Sequence, residues 1–178
     1  MRTLLHVCCA PCALGVIDNV KEGNDITLYF YNPNLYPFLE YQKRLDTLKE
    51  VVEKAYPYLQ IIEGDFDDSS FYDNVLGLED EKEGGSRCAN CIKMRMEMTA
   101  KYAKEKGYEA FTTTLSVSPH KSYPIINKIG KELEEKYQIT FIDTDFKKKD
   151  GFLKSTKRSK EMGIYRQNYC GCKFSKHD

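Results

Sequence analysis

A chain of 178 residues is long enough to bury a hydrophobic core without disulfide or metal staples, and it falls within the usual size of one domain. Hydrophobic residues at 41% and charged residues at 30% exclude a disordered or low-complexity chain, and no window is apolar for long enough to span a bilayer. With 27 basic and 27 acidic residues the formal net charge is +0, so a nucleic-acid partner needs a local basic patch.

Taken in order, the run from Thr3 to Val7 predicts a buried strand. Pro11 suits the first turn of a following helix carrying Leu14, Val16, Ile17 and Val20. Ile26 to Tyr31, rich in β-branched and aromatic residues, predicts a second strand, ended by Asn32-Pro33-Asn34. From Phe38 to Ala55 the spacing of Leu45, Leu48, Val51 and Val52 predicts a helix, and Leu59 to Ile62 a third strand. Acidic and aromatic sequence follows, ending in the loop Glu83-Gly84-Gly85-Ser86. Cys88 to Lys106 predicts a helix with Met94, Met98 and Tyr102 on its apolar stripe, the methionines as core filler, stopped by Gly107. Ala110 to Leu115 predicts a fourth strand, Ile125 to Tyr137 a helix, Ile139 to Thr144 a fifth strand, and Gly151 to Met162 the last helix. The tail from Gly163 to Asp178 is short and irregular.

Strands alternating with helices imply an α/β fold: a single domain over residues 1–178, with a five-stranded, mostly parallel sheet and helices on both faces. The N-terminus has no secretory pattern, so a cytoplasmic location is expected.

Seven cysteines, an odd number, fall into three tight groups: Cys8, Cys9 and Cys12; Cys88 and Cys91; Cys170 and Cys172. Clustered cysteines in a cytosolic chain are more often metal or redox groups than disulfides. Ligands in an open α/β sheet bind beyond the carboxyl ends of the strands, so the first two groups are expected to converge there. The tail is able to return the third group to the same edge. Two C-x-x-C pairs, Cys9/Cys12 and Cys88/Cys91, supply the four thiolates that zinc or an iron–sulfur cluster needs. Cys8, Cys170 and Cys172 then suffice for a second metal with one open position. Two plainer readings stand beside this: a thioredoxin-like dithiol at Cys9/Cys12, and a structural zinc site. His6 reads as a satisfied core histidine, His120 as a functional candidate on a strand-end loop, and His177 as solvated.

The segments LLHVCCAPC, RCANC leading into IKMRMEMTA, TTLSVSPHKS and YRQNYCGCKFS together resemble the cobalamin-independent epoxyqueuosine reductases, the QueH family, over Leu4 to Ser175. The resemblance implies a fold like that of the adenine-nucleotide α-hydrolases (HUP-like). It implies reduction of epoxyqueuosine to queuosine at the wobble position of tRNAs with a GUN anticodon. It also implies a 4Fe-4S cluster with an additional mononuclear metal ion, expected to be iron. CCAPC stands where an ATP-using relative has a glycine-rich phosphate cradle, so no ATP use is expected, and no cobalamin.

On this footing Cys9, Cys12, Cys88 and Cys91 are expected on the cluster, and Cys8, Cys170 and Cys172 on the second metal. Tyr165, Tyr169 and His120 are candidate proton donors, with Arg166 nearby. Lys147, Lys148, Lys149, Lys154, Lys157 and Arg158 are candidate contacts for the phosphates of the tRNA anticodon stem-loop. Tyr36, Phe38 and Tyr41 are candidates to stack on a splayed base. Electrons would come from a donor such as a ferredoxin or flavodoxin system. The competing functions are an iron-free dithiol oxidoreductase and a zinc-stapled RNA-binding module.

Overall fold

Among the described residues, five short strands and seven helices follow one another along the chain, two helices more than the apolar runs predict. The structure is a computed structural model and describes residues 1–118, 121–143 and 150–176. In chain order the elements are β1 (Arg2–His6), α1 (Ala10–Leu14), α2 (Ile17–Val20), β2 (Asp25–Phe30), α3 (Phe38–Ala55), β3 (Gln60–Glu63), α4 (Asp68–Asn74), α5 (Ser86–Glu105), β4 (Ala110–Thr113), α6 (Tyr123–Tyr137), β5 (Thr140–Phe141) and α7 (Gly151–Met162). The strands form one sheet in the order β3-β2-β1-β4-β5, and every pairing is parallel. The topology is consistent with the HUP-like fold that the resemblance implies.

Side chains alternate across a strand, so β1, β2 and β3 each feed two cores. Leu5 and Val7, with Ile26, Leu28 and Phe30, pack under α1, α2 and α3. Leu4, with Tyr29, Tyr31 and Phe111, packs under α5 and α6. Leu4, Leu5, Val7, Leu28 and Phe30 are completely buried, and each such side chain contributes about 1.5–3 kcal/mol of transfer free energy. Helix α7 lies against α1 at Gly15, where an added Cβ would stand 2.4 Å from the Gly151 carbonyl oxygen.

Four details depart from the sequence expectation. The first predicted helix is two short ones, broken at Gly15-Val16. Helix α4 was not predicted: its composition is acidic and Phe71 alone is buried, but Asp67 caps it by accepting from the Ser69 N–H at 3.1 Å. The buried stripe of α5 is Ile92, Met96, Ala100 and Ala103, while Met98 is exposed and is not core filler. Strand β5 spans two residues, and Thr144 lies outside the described residues.

Candidate metal centre

The strand order runs outward in both directions from β1, so the crevice between the carboxyl ends of β1 and β4 is the switch point of the sheet. His6, the last residue of β1, is fully buried. Its Nε2 donates to the Tyr31 carbonyl at 2.9 Å, and its Nδ1 accepts from the Thr113 hydroxyl at 3.0 Å. Burial drives its pKa down to about 4, so it is a neutral core histidine that locks β1 to its neighbours.

Two residues on, the Cys8 N–H donates to Thr114 Oγ1 at 3.1 Å, and Cys8 Sγ lies 3.3 Å from the same hydroxyl. The next residues turn into α1 with Pro11 in its first turn, which brings Cys12 back over Cys8 and Cys9. The three Sγ atoms lie within 4.8 Å of one another, the one such group of potential metal ligands among the described residues. Hydrogen bonds from Cys12, then Cys9, hold the Cys8 thiol well below its ordinary pKa. At Cys9 the hydrogen bond with Cys12 works downward, but the bond with Cys8 and burial outweigh it and push the thiol up to about 12. One sulfur of the three therefore carries charge most readily.

The second group forms where α5 begins. Gly85 precedes its first residue, and the Gly84 N–H donates to Cys88 Sγ at 3.2 Å. Cys91 lies one turn later and packs with Phe71, Val75 and Cys172. Cys88, Cys91, Cys170 and Cys172 line one small cavity of about 20 Å³, closed by Phe71, Ile92, Arg87, Arg95 and Lys121. Burial pushes the Cys91 thiol up to about 11. Burial also acts to raise Cys170, but Lys121 and Arg95 overcome it and bring that thiol below its ordinary value. Lys121 Nζ is 3.2 Å from Cys170 Sγ.

The tail reaches this place because α3 and the loop before it hold it. Arg44 donates to the Cys170 carbonyl at 2.9 Å and to the Tyr169 carbonyl at 3.0 Å. The Tyr36 N–H donates to the Gly171 carbonyl at 2.8 Å. Gly171 has φ +124, a region that L side chains rarely adopt, and an added Cβ would stand 2.3 Å from Leu35 Cδ2.

All seven cysteines are free. Cys9 and Cys12 lie with Cys8, whereas Cys88 and Cys91 lie with Cys170 and Cys172; the two C-x-x-C pairs line different cavities. The larger cavity, about 390 Å³, has Cys8, Cys9 and Cys12 in its wall together with Cys170. Among the described residues, four basic side chains, Arg44, Arg95, Lys121 and Arg166, line it against the single carboxylate of Glu83. Phe152 and Ser155 of α7 and Gln167 to Cys170 of the tail complete it. Its volume and charge suit one anionic, nucleoside-sized group.

The candidate proton donors divide. Tyr169 lines the large cavity, but its hydroxyl donates to the Tyr36 carbonyl. Tyr165 lines neither cavity; burial and the Glu40 carboxylate at 2.6 Å raise its pKa. His120, Lys147, Lys148 and Lys149 lie outside the described residues, as does His177. Lys154 and Lys157 are exposed on α7, two and five residues after the cavity residue Phe152. Arg158 is tied to Asp18 at 2.8 Å and lies over the Tyr56 ring. Phe38 is 53% exposed, but Tyr41 is 1% exposed and donates to Glu63, so it is a core residue and not a stacking platform. Sequence reasoning missed Arg44, Arg87, Arg95 and Lys121, the cations around the sulfurs. One signal was available: Arg95 follows Cys91 by four residues, which puts both on one face of α5.

No helix among the described residues is long and apolar enough to cross a membrane. The family model described as epoxyqueuosine reductase QueH matches residues 3–178. A Thermotoga maritima protein named epoxyqueuosine reductase QueH is 42% identical over 177 residues, 97% of this chain and 88% of that protein. Proteins of the same name from Streptococcus pyogenes and Staphylococcus epidermidis are 38% and 36% identical, over 97% and 98% of this chain and 69% and 76% of their own lengths.

Proposed function

The chain belongs to the epoxyqueuosine reductase QueH family, and from that premise we propose that its seven thiols divide the reduction between two adjacent centres. The protein is an epoxyqueuosine reductase, an oxidoreductase that converts epoxyqueuosine to queuosine in tRNA. Deoxygenation of the epoxide consumes two electrons and two protons and yields the alkene and water.

Cys88, Cys91, Cys170 and Cys172 hold the 4Fe-4S cluster in this proposal, and Cys8, Cys9 and Cys12 hold the mononuclear ion. This replaces the division expected from spacing, in which each C-x-x-C pair served the cluster. The supporting observation is the grouping of the sulfurs: three Sγ atoms within 4.8 Å of one another, and four cysteines around a separate small cavity. An all-sulfur donor set suits thiophilic iron or zinc, and three ligands leave a tetrahedral ion one open position. Thiolates in a buried site need counter-charge, and Arg87, Arg95 and Lys121 line the four-cysteine cavity. When bound, the cluster supplies single electrons and the ion a Lewis acid for the epoxide oxygen.

The remaining work falls to the chain itself. Thr114 fixes the rotamer of Cys8 through paired contacts to its N–H and Sγ. The large cavity admits the modified base, with Cys8, Cys9 and Cys12 in its wall and Cys170 at its border with the small one. Lys121 and Arg95 line both cavities, so their positive charge lies beside the place where negative charge develops on the departing oxygen. Lys154 and Lys157 carry the tRNA backbone beside the cavity mouth, and Arg158 contributes to the fold of that face. The wobble position of tRNAs with a GUN anticodon, a ferredoxin- or flavodoxin-like donor and a cytoplasmic location complete the reading.

The test is turnover of a synthetic anticodon stem-loop carrying epoxyqueuosine by anaerobically reconstituted protein. A mass loss of one oxygen supports the proposal. A colourless, zinc-loaded protein without turnover, or iron-independent disulfide reduction, would replace it with one of the alternatives.

A further inference from the structure

Among the described residues, two aromatic side chains stand in the wall of the large cavity, Phe152 of α7 and Tyr169 of the tail. Tyr169 is engaged elsewhere: its hydroxyl donates to the Tyr36 carbonyl, and the Arg44 guanidinium lies 5.3 Å from its ring centre. Phe152 has no such partner. It is 41% exposed, and among the described residues no other ring and no cation lies over it. Its backbone is nevertheless fixed. Gly151, Ser155 and Ser159 form the buried stripe of α7. A Cβ added at Gly15, which ends α1, would stand 2.4 Å from the Gly151 carbonyl oxygen and 3.2 Å from Ser155 Cβ, so the start of α7 sits hard against α1. The ring is therefore carried by a close-packed helix into the wall it shares with Pro11 and Cys12. Leu153, its neighbour in the chain, is 65% exposed. Two adjoining large apolar side chains left in water mark a surface that a ligand covers.

We propose that Phe152 is the platform on which the wobble base of the tRNA stacks, with Arg166 beside it for an adjoining phosphate. The inference rests on the reading that the large cavity admits the modified base. Every nucleobase has a flat π-face, and a base splayed from a loop is held by stacking on an aromatic ring. A protein that acts on one nucleotide takes it out of the stack of its neighbours, and the stacking lost there has to be replaced. Phe152 is the unoccupied ring placed to replace it. Tyr36 and Phe38, expected from the sequence to stack on the base, do not line this cavity. The charge is complementary as well. Arg166 lines the same cavity and donates to Thr156 Oγ1 at 3.3 Å, one turn along α7 from Phe152, which sets a cation beside the ring for the backbone of the stacked nucleotide.

The experiment is equilibrium binding, by fluorescence anisotropy, of a dye-labelled anticodon stem-loop carrying epoxyqueuosine to anaerobically reconstituted protein. Wild type is compared with Phe152→Ala, Phe152→Leu and Phe152→Tyr. Each is measured on the intact loop, on a loop with an abasic ribose at the wobble position, and on a loop with an abasic ribose at the next position. On the intact loop Phe152→Ala weakens binding by about tenfold or more. Phe152→Leu loses nearly as much, because it keeps an apolar side chain and lacks a ring face, and Phe152→Tyr binds as wild type does. Removing the base at the next position leaves the difference between wild type and Phe152→Ala in place. Removing the wobble base erases it, since the ring then has no base to hold. Binding of the intact loop by Phe152→Ala as tightly as by wild type overturns the inference. An undiminished loss on the loop without the wobble base overturns it too, because another part of the tRNA then lies on the ring. Wild-type affinity in Phe152→Leu also overturns it, since the side chain is then an apolar cover and no stacking platform. Wild-type protein that binds the intact loop and the loop without the wobble base equally refutes the entry of the base into the cavity, and the inference with it.

Discussion

Gly171→Ala tests whether the tail is bound by its backbone geometry. At φ +124 an alanine pays about 1–3 kcal/mol of backbone strain. Its Cβ would stand 2.3 Å from Leu35 Cδ2 and 2.7 Å from Arg44 Nη1, which adds about 1–3 kcal/mol of overpacking. The total, about 2–6 kcal/mol, is of the same size as what holds this stretch. Two Arg44 bonds to the Cys170 and Tyr169 carbonyls and the Tyr36–Gly171 bond are worth about 1–3 kcal/mol each. The tail should therefore come off α3 in a large fraction of molecules and carry Cys170 and Cys172 away from Cys91. None of the five strands belongs to the tail, so far-ultraviolet circular dichroism should stay as in wild type. Iron per chain after reconstitution and the visible absorption of the cluster should fall several-fold. A variant with wild-type iron content and wild-type thermal midpoint would refute the reasoning.

Other outcomes follow from the same geometry. In metal-free protein, alkylation mapped by mass spectrometry at neutral pH should reach Cys8 and Cys170 first and Cys9, Cys12 and Cys91 last, because the first two thiols are lowered and the last three raised. His6 has a folded-state pKa of about 4 against 6.5 unfolded, so the unfolded chain protonates first as pH falls. Its stabilisation is complete above about pH 6.5 and is lost between there and about pH 4, by about 3 kcal/mol. Denaturant titrations of metal-free wild type and His6→Asn should show a pH-dependent loss smaller by that amount in the variant. Lys154→Ala and Lys157→Ala should each reduce the salt slope of tRNA binding by about one and leave iron content unchanged. Arg158→Ala should instead lower the thermal midpoint, because its partners are Asp18 and Tyr56.

Much of the scaffold was legible because its signals are local. Phe38–Ala55 and Gly151–Met162 carry helical periodicity end to end, and the two cores follow from the alternation along β1 and β2. Helix α4 was hidden because a cap and one buried Phe71 give no stripe to read. The approach of the cysteine groups to one edge of the sheet was legible from topology. Their grouping was not, since spacing within C-x-x-C says which thiols share a turn and not which turns meet. What brings Cys170 and Cys172 to Cys91 is the hold of Arg44 on two carbonyls, a long-range backbone contact with no sequence signature. Arg95 and Lys121 read as ordinary surface cations until the fold closes over them.

The division of the thiols is the central claim, and single substitutions scored by iron content and spectrum test it most directly. The account predicts that Cys172→Ala loses the cluster absorption while Cys12→Ala keeps it, losing the mononuclear ion and turnover. Loss of the cluster in Cys12→Ala with its retention in Cys172→Ala would contradict it.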